Sequence, residues 1–293
     1  MNALSFLTAA VAAQFTAGSD PRAPAGDTDH IRFGVVHLAT GIRMHYAEQG
    51  DSTGKPLILL HGYSDSWFSF STVLPHIPAR YRVFALDLRG HGRTDKPNTG
   101  YGMDDLARDV IAFMDAKNLR GVTLVGHSNG GYVAQQVALA APERLDRLVL
   151  VATTTTPRAI IGIGDLENAV RGLEDPVPST FIREFQNSTI HRPLPSDFVD
   201  RVVSESSRLP AHVWKGVMDG LLAMDPVEGL TATRLSVMVL WGDADTLMPR
   251  SEQDALVKMF PDVVFKMYRE TGHALHWERS AEFAADLIDF MER

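Results

Sequence analysis

Gly126-His127-Ser128-Asn129-Gly130-Gly131 lies between two contrasting stretches. Before it runs Val122-Thr123-Leu124-Val125, short, apolar and rich in β-branched residues. After it, Tyr132-Val133-Ala134-Gln135-Gln136-Val137-Ala138-Leu139-Ala140 reads as helix ending near Pro142. A Gly-x-Ser-x-Gly between strand and helix forces the serine onto a sharp turn with its hydroxyl exposed. The glycines answer the strain of the turn and the close approach of strand to helix, which leaves no room for a Cβ. In a chain with 23 glycines the motif alone is weak, and it is the placement that makes Ser128 a candidate nucleophile.

Outward from this turn, short β-rich runs recur at 33–38, 42–47, 57–60, 82–86, 122–125, 148–152, 237–241 and 263–268. From the third onward they are nearly continuous apolar stretches, the pattern of strands buried on both faces of a mostly parallel sheet. Helical patterns at 103–118, 131–141, 251–260 and 279–291 separate them, so the alternation predicts an α/β fold with right-handed crossovers. Ala39-Thr40-Gly41 between the first two runs suits an antiparallel hairpin at the sheet edge.

The alternation stops over 153–233. That stretch carries Pro157, Pro176, Pro178, Pro193, Pro195 and Pro210, which cut it into short amphipathic helices and leave no convincing strand. It reads as a helical cap inserted after the sixth strand. The expected organisation is a leader and linker at 1–30, a core made of 31–152 and 234–293, and the cap at 153–233.

Composition narrows the function. A 293-residue chain with 45% hydrophobic and 22% charged residues can bury a substantial core. A formal charge of −8 without a basic tract argues against nucleic acid as a partner, since phosphate binding needs a basic face. Zero cysteines exclude disulfides, thiolate nucleophiles and thiolate-held metal. The small apolar residues between Ala3 and Ala17 are interrupted by Ser5, Thr8, Gln14 and Thr16, and no Lys or Arg precedes Arg22. This is too short for a membrane span and lacks the positive start of an export signal, so a cytoplasmic location is favoured, with export left open. Oligomeric state is not legible.

A serine needs a base to take its proton. Of eleven histidines, His273 stands just after the last β-rich run, in Gly272-His273-Ala274-Leu275-His276-Trp277-Glu278, where a loop would bring it over the sheet's C-terminal edge. A histidine base needs an acid to hold its tautomer. Asp245 is the candidate, in Trp241-Gly242-Asp243-Ala244-Asp245-Thr246-Leu247-Met248-Pro249, right after the seventh run. The order Ser128, Asp245, His273 is the one this fold uses. His276 and Asp243 are the competing assignments, read as a structural neighbour and a turn residue. No histidine or carboxylate grouping has metal-site spacing, and no cofactor is expected.

These stretches, with Leu60-His61-Gly62-Tyr63-Ser64-Asp65-Ser66-Trp67 and Asp87-Leu88-Arg89-Gly90-His91-Gly92-Arg93-Thr94-Asp95-Lys96-Pro97, resemble the α/β-hydrolases, in the serine-nucleophile branch with a helical cap. The resemblance runs from about residue 33 to the C-terminus and implies an eight-stranded, mostly parallel sheet flanked by helices. It also implies an oxyanion hole from the backbone N–H groups of Tyr63 and Asn129. Many relatives carry an apolar residue such as Met where this chain has Asn129, a departure that bears on the polarity of the pocket beside the nucleophile and not on the mechanism. His61, Asp87, Arg89, His91 and His127 are read as residues that fix turns. Among large apolar side chains, Trp67, Phe181, Phe185, Trp214 and Met218 are expected to line a substrate pocket.

Haloalkane dehalogenases and epoxide hydrolases of this family place an aspartate at the nucleophile position. Ser128 points instead to acyl transfer at a carbonyl. The expected function is hydrolysis of a carboxylic ester or lactone of a small to medium hydrophobic substrate. Carbon–carbon bond hydrolysis or perhydrolysis by the same residues is one alternative, and a slow-turnover ligand receptor of this fold is another.

Overall fold

The edge hairpin forms where the turn residues call for it. A computed structural model of the protein describes residues 30–225, 229–260 and 262–293; of the expected leader, all but residue 30 lies outside them. Strand β1 (Arg32–His37) pairs antiparallel with β2 (Arg43–Gln49), closed by the Leu38 N–H donating to the Ile42 carbonyl at 2.8 Å. β3 (Lys55–Leu60) and β4 (Tyr81–Leu86) pair in parallel, and β2 runs antiparallel along β4. β5 (Val122–His127), β6 (Leu145–Val151), β7 (Ser236–Gly242) and β8 (Val264–Tyr268) extend the parallel part. The strand order is β1-β2-β4-β3-β5-β6-β7-β8.

The continuous apolar runs are used on both faces, as their composition requires. Ile58, Leu60, Phe84 and Leu86 pack with α1 (Met103–Ala116) and α2 (Asn129–Ala140), while Leu57, Leu59, Val83 and Ala85 pack with Phe283, Leu287 and Phe290 on the opposite side. Strand side chains alternate faces, so consecutive leucines must find two separate cores.

Between β6 and β7 lie four helices, α3 (Ile163–Arg171), α4 (Ser179–Ser188), α5 (Ser196–Ser206) and α6 (Ala211–Ala223), and no strand among the described residues. The cutting prolines act as expected: Pro178, Pro195 and Pro210 directly precede α4, α5 and α6. Proline is tolerated there because the first helical N–H groups have no partner inside the helix. Beyond β7, α7 (Arg250–Met259) leads to β8. The helix expected at 279–291 is α9 (Ser280–Glu292), and a short turn of helix not expected from the sequence, α8 (Leu275–Glu278), precedes it across Arg279.

The register fixes where the chemistry can sit. Leu60 of β3 is level with Gly126 of β5, Gly126 with Leu150 of β6, Val151 with Leu240 of β7, and Gly242 with Tyr268 of β8. Parallel strands therefore end along one edge, and Tyr63, Ser128, Asp245 and His273 follow within a few residues of four of those ends. In open α/β sheets the carboxyl ends of the strands are where ligands bind.

Candidate active site

Ser128 joins β5 to α2 with φ 51° and ψ −116°, a conformation that L-residues rarely adopt. It is sustained by packing that excludes side chains. A Cβ on Gly126 would overlap the Gly130 carbonyl, and one on Gly130 would overlap the Leu60 carbonyl. The second contact sets the start of α2 directly on the end of β3. It thereby brings the first amide of α2, on Asn129, and the loop after His61 to the same place. The N–H groups at a helix start lack partners within the helix and carry its positive end, which suits them to a developing anion.

His273 Nδ1 lies 2.9 Å from Asp245 Oδ2, and both residues are buried. A carboxylate can only accept, so Nδ1 carries the hydrogen and Nε2 keeps its lone pair. The other Asp245 oxygen accepts from the Leu247 and Met248 amides at 2.8 and 3.0 Å. Asp243, the competing acid, is instead a turn residue whose Oδ1 accepts from the Glu270 amide at 2.5 Å.

The histidines around this pair are neutral buried braces. His127 Nε2 donates to the His273 carbonyl at 3.2 Å, tying the strand before Ser128 to the loop that carries His273. His276 sits 4.4 Å from the His127 ring and bonds Ser69 Oγ at 2.9 Å. Burial holds both well below the usual imidazole range, to about 3 for His276, with the neighbouring rings adding to the effect. His61 donates from Nδ1 to the Gly62 carbonyl at 2.8 Å and accepts the Leu88 amide on Nε2 at 3.1 Å. Asp87 collects the Trp67 and Arg93 amides and His45 Nδ1 at 2.7, 2.9 and 2.8 Å.

Ser128, Asn129, Tyr63 and His273 share one cavity of about 830 Å³. Of the five side chains expected to line a pocket, Phe181, Phe185 and Met218 do. Trp214 and Trp67 do not. Trp214 is fully buried beneath that wall, edge-on to Tyr63, Phe181 and Phe185 at 5.1–5.7 Å. Trp67 packs on the far side of its loop against Phe33 and Phe68 at 4.8 and 5.8 Å. Aromatic size marked both residues, but only the packing tells which ring faces the cavity and which lies behind it.

Asp65 and Gln186 are among the cavity residues that the sequence reading did not single out. Asp65 lies on the loop after Tyr63, and burial pushes its carboxyl up to about 6 against the pull of hydrogen bonds from Gln186 and Ser69. Gln186 occupies the buried stripe of α4 with Phe181, Ile182 and Phe185. A lone amide in an apolar stripe was the signal available. Among the described residues there is no cluster of three or more histidine or acidic side chains able to hold a metal, and no helix long and apolar enough to cross a membrane.

With this geometry in view, residues 55–280 match the family described as the alpha/beta hydrolase fold. The chain belongs to that family. This α/β-hydrolase is 36% identical over 271 residues to epoxide hydrolase 2 of Caenorhabditis elegans, covering 79% of its own length and 72% of that protein. It is 42% identical over 123 residues to a non-heme chloroperoxidase of Streptomyces lividans, which covers 41% of this α/β-hydrolase and only 44% of the relative. Among solved structures, an esterase from Exiguobacterium antarcticum superposes with a TM-score of 0.80 at 19% identity, covering 88% of this chain and 99% of that one. At that identity the superposition speaks for the fold alone.

Proposed function

We propose that this α/β-hydrolase is a serine hydrolase that cleaves carboxylic esters or lactones of hydrophobic, small to medium substrates through an acyl-enzyme. The observation that carries the reading is Ser128 on its strained turn, opening into the same cavity as a histidine whose Nδ1–H is held by Asp245.

In this reading Ser128 Oγ attacks the substrate carbonyl as His273 Nε2 takes the hydroxyl proton. Asp245 holds the tautomer and stabilises the imidazolium. The backbone N–H groups of Tyr63 and Asn129 receive the oxyanion of the tetrahedral intermediate. His273 then hands its proton to the leaving alcohol, and a water that it deprotonates releases the acid from Ser128. An oxyanion donor is worth about 3–4 kcal/mol in such steps. A carboxylate nucleophile, which the resemblance assigns to epoxide hydrolases, is absent from position 128.

Residues 153–233 act in this reading as the cap that shapes the substrate pocket. Phe181, Phe185, Met218 and Leu221 give the cavity an apolar wall, which supports an apolar acyl or alkyl group. Hydrolysis of p-nitrophenyl esters of increasing acyl length, with aryl and alkyl lactones, tests the proposal with wild type and Ser128→Ala side by side. Turnover that disappears in the variant is expected. A folded wild-type protein silent on every ester and lactone would overturn it in favour of carbon–carbon hydrolysis or a receptor role.

A further inference from the structure

The loop that would supply one oxyanion donor is held from outside the core. Tyr63 Oη donates to the Trp214 carbonyl of α6 at 2.6 Å, and its ring packs edge-on against Phe185 of α4. Burial pushes the Tyr63 hydroxyl well above the usual phenol range, so it remains a donor. The next residue, Ser64, is fully buried with φ 63°, in the left-handed region that a non-glycine residue enters at a cost. Asp65 follows, with one oxygen accepting Ser69 Oγ at 3.2 Å. Gln186 closes the arrangement from α4. Its Nε2 lies 3.0 Å from Asp65 Oδ1, 3.3 Å from Ser64 Oγ and 2.9 Å from Ser206 Oγ of α5.

Burying an amide and a carboxyl together is expensive unless each is bonded, and an apolar pair of similar size would pack there without that penalty. What the polar pair supplies is direction. The Tyr63 N–H can serve an oxyanion only from a narrow range of positions, and misplacement by about 1 Å can cost about a hundredfold in rate. Ser64, in its strained conformation, gives the loop somewhere else to go.

We propose that Gln186 is a positioning residue: by bonding Ser64 and Asp65 it couples the helical insertion to the loop after Tyr63, so that the Tyr63 N–H is aimed when α4 is seated. The inference rests on the serine hydrolase reading for its chemical meaning. The mechanical coupling itself can be measured without turnover. Seating of the insertion then governs transition-state stabilisation as well as the shape of the pocket.

The test uses the full chain and Gln186→Met, which keeps the volume and removes the donors. Hydrogen exchange of the amides in 62–66 is expected to quicken in Gln186→Met while β3 and β5 keep their protection; unchanged exchange overturns the coupling whether or not any ester is hydrolysed. On an ester whose turnover depends on Ser128, kcat is expected to fall about tenfold to a hundredfold with KM nearly constant. Affinity for a trifluoromethyl ketone, which forms a tetrahedral oxyanion on the serine, should fall by the same factor. A raised KM at constant kcat would make Gln186 a substrate contact and overturn the proposal.

If Gln186→Met does not fold, Gln186→Glu serves. The introduced carboxyl faces Asp65, which also feels His273, and the hydroxyls of Ser64 and Ser206; Glu205 of α5, next to Ser206, is held by Arg201 and Arg208. The introduced carboxyl can share a proton with Asp65 at low pH and must repel it once both ionise. The kcat profile should then fall at the alkaline side, where the wild type keeps its activity. A profile of wild-type shape overturns the proposal.

Discussion

Asp245 divides its two oxygens between different tasks: Oδ2 accepts the Nδ1–H of His273 at 2.9 Å, while Oδ1 is held by the amides of Leu247 and Met248. The division makes Asp245→Asn a sharp test. Two N–H donors already face the Oδ1 position, so the asparagine oxygen must take it and the NH₂ group must face His273. The imidazole then turns to the tautomer with Nδ1 bare and the hydrogen on Nε2, which cannot accept a proton from Ser128. Turnover should drop about 10⁴-fold with the circular dichroism spectrum intact. Asp243→Asn should leave most of it.

Buried neutral histidines should make the fold sensitive to acid. His61, His91, His127 and His276 all have their pKa lowered by burial. Between those lowered values and the ordinary imidazole value of 6.5, the unfolded chain binds more protons than the folded one, so stability falls as pH is lowered through that window. Asp65 works the other way. With its carboxyl raised to about 6, the folded state takes up a proton before the unfolded chain does, which offsets part of the loss. Tm measured from pH 7 to pH 4 should decline, more steeply in Asp65→Asn and less steeply in His276→Gln.

Gly130→Ala should damage both fold and chemistry. The added methyl meets the Leu60 and His61 carbonyls, and neither end of the contact can yield without moving β3 or α2. Overpacking of this kind costs about 1–3 kcal/mol, read as a lower urea midpoint. The residual activity of the folded fraction should also fall, because the shift parts the Asn129 amide from the loop after His61.

Two large cavity-region side chains should respond differently. Trp214→Ala removes a fully buried ring behind the pocket wall and should cost about 3–5 kcal/mol of stability by urea unfolding. Met218→Trp crowds the cavity wall, so the loss in kcat/KM should grow with acyl length across an ester series, with an overpacking cost of about 1–3 kcal/mol because Met218 is itself buried.

The sheet was legible because its signals are local. Apolar runs such as Leu57-Ile58-Leu59-Leu60 admit one interpretation when they alternate with helices, and Ser128, Asp245 and His273 each follow directly on such a run. The helical stretch between β6 and β7 was legible in outline only. Its prolines mark where α4, α5 and α6 begin, but which face of each helix meets the core depends on contacts over more than a hundred residues. Tyr63 Oη to the Trp214 carbonyl is one, and Gln186 to Asp65 another. Trp214 and Met218 lie four positions apart on α6, yet one lines the cavity and the other does not. Helical spacing put them on neighbouring turns and could not say which would reach the pocket.

On the serine hydrolase reading, position 128 sets function against foldability. A residue with positive φ favours glycine, so Ser128→Gly would relieve the turn and give a firmer, inert protein. The backbone at 128 thus carries a side chain that the turn itself disfavours, and the stability difference between the wild type and Ser128→Gly measures what that hydroxyl costs the fold.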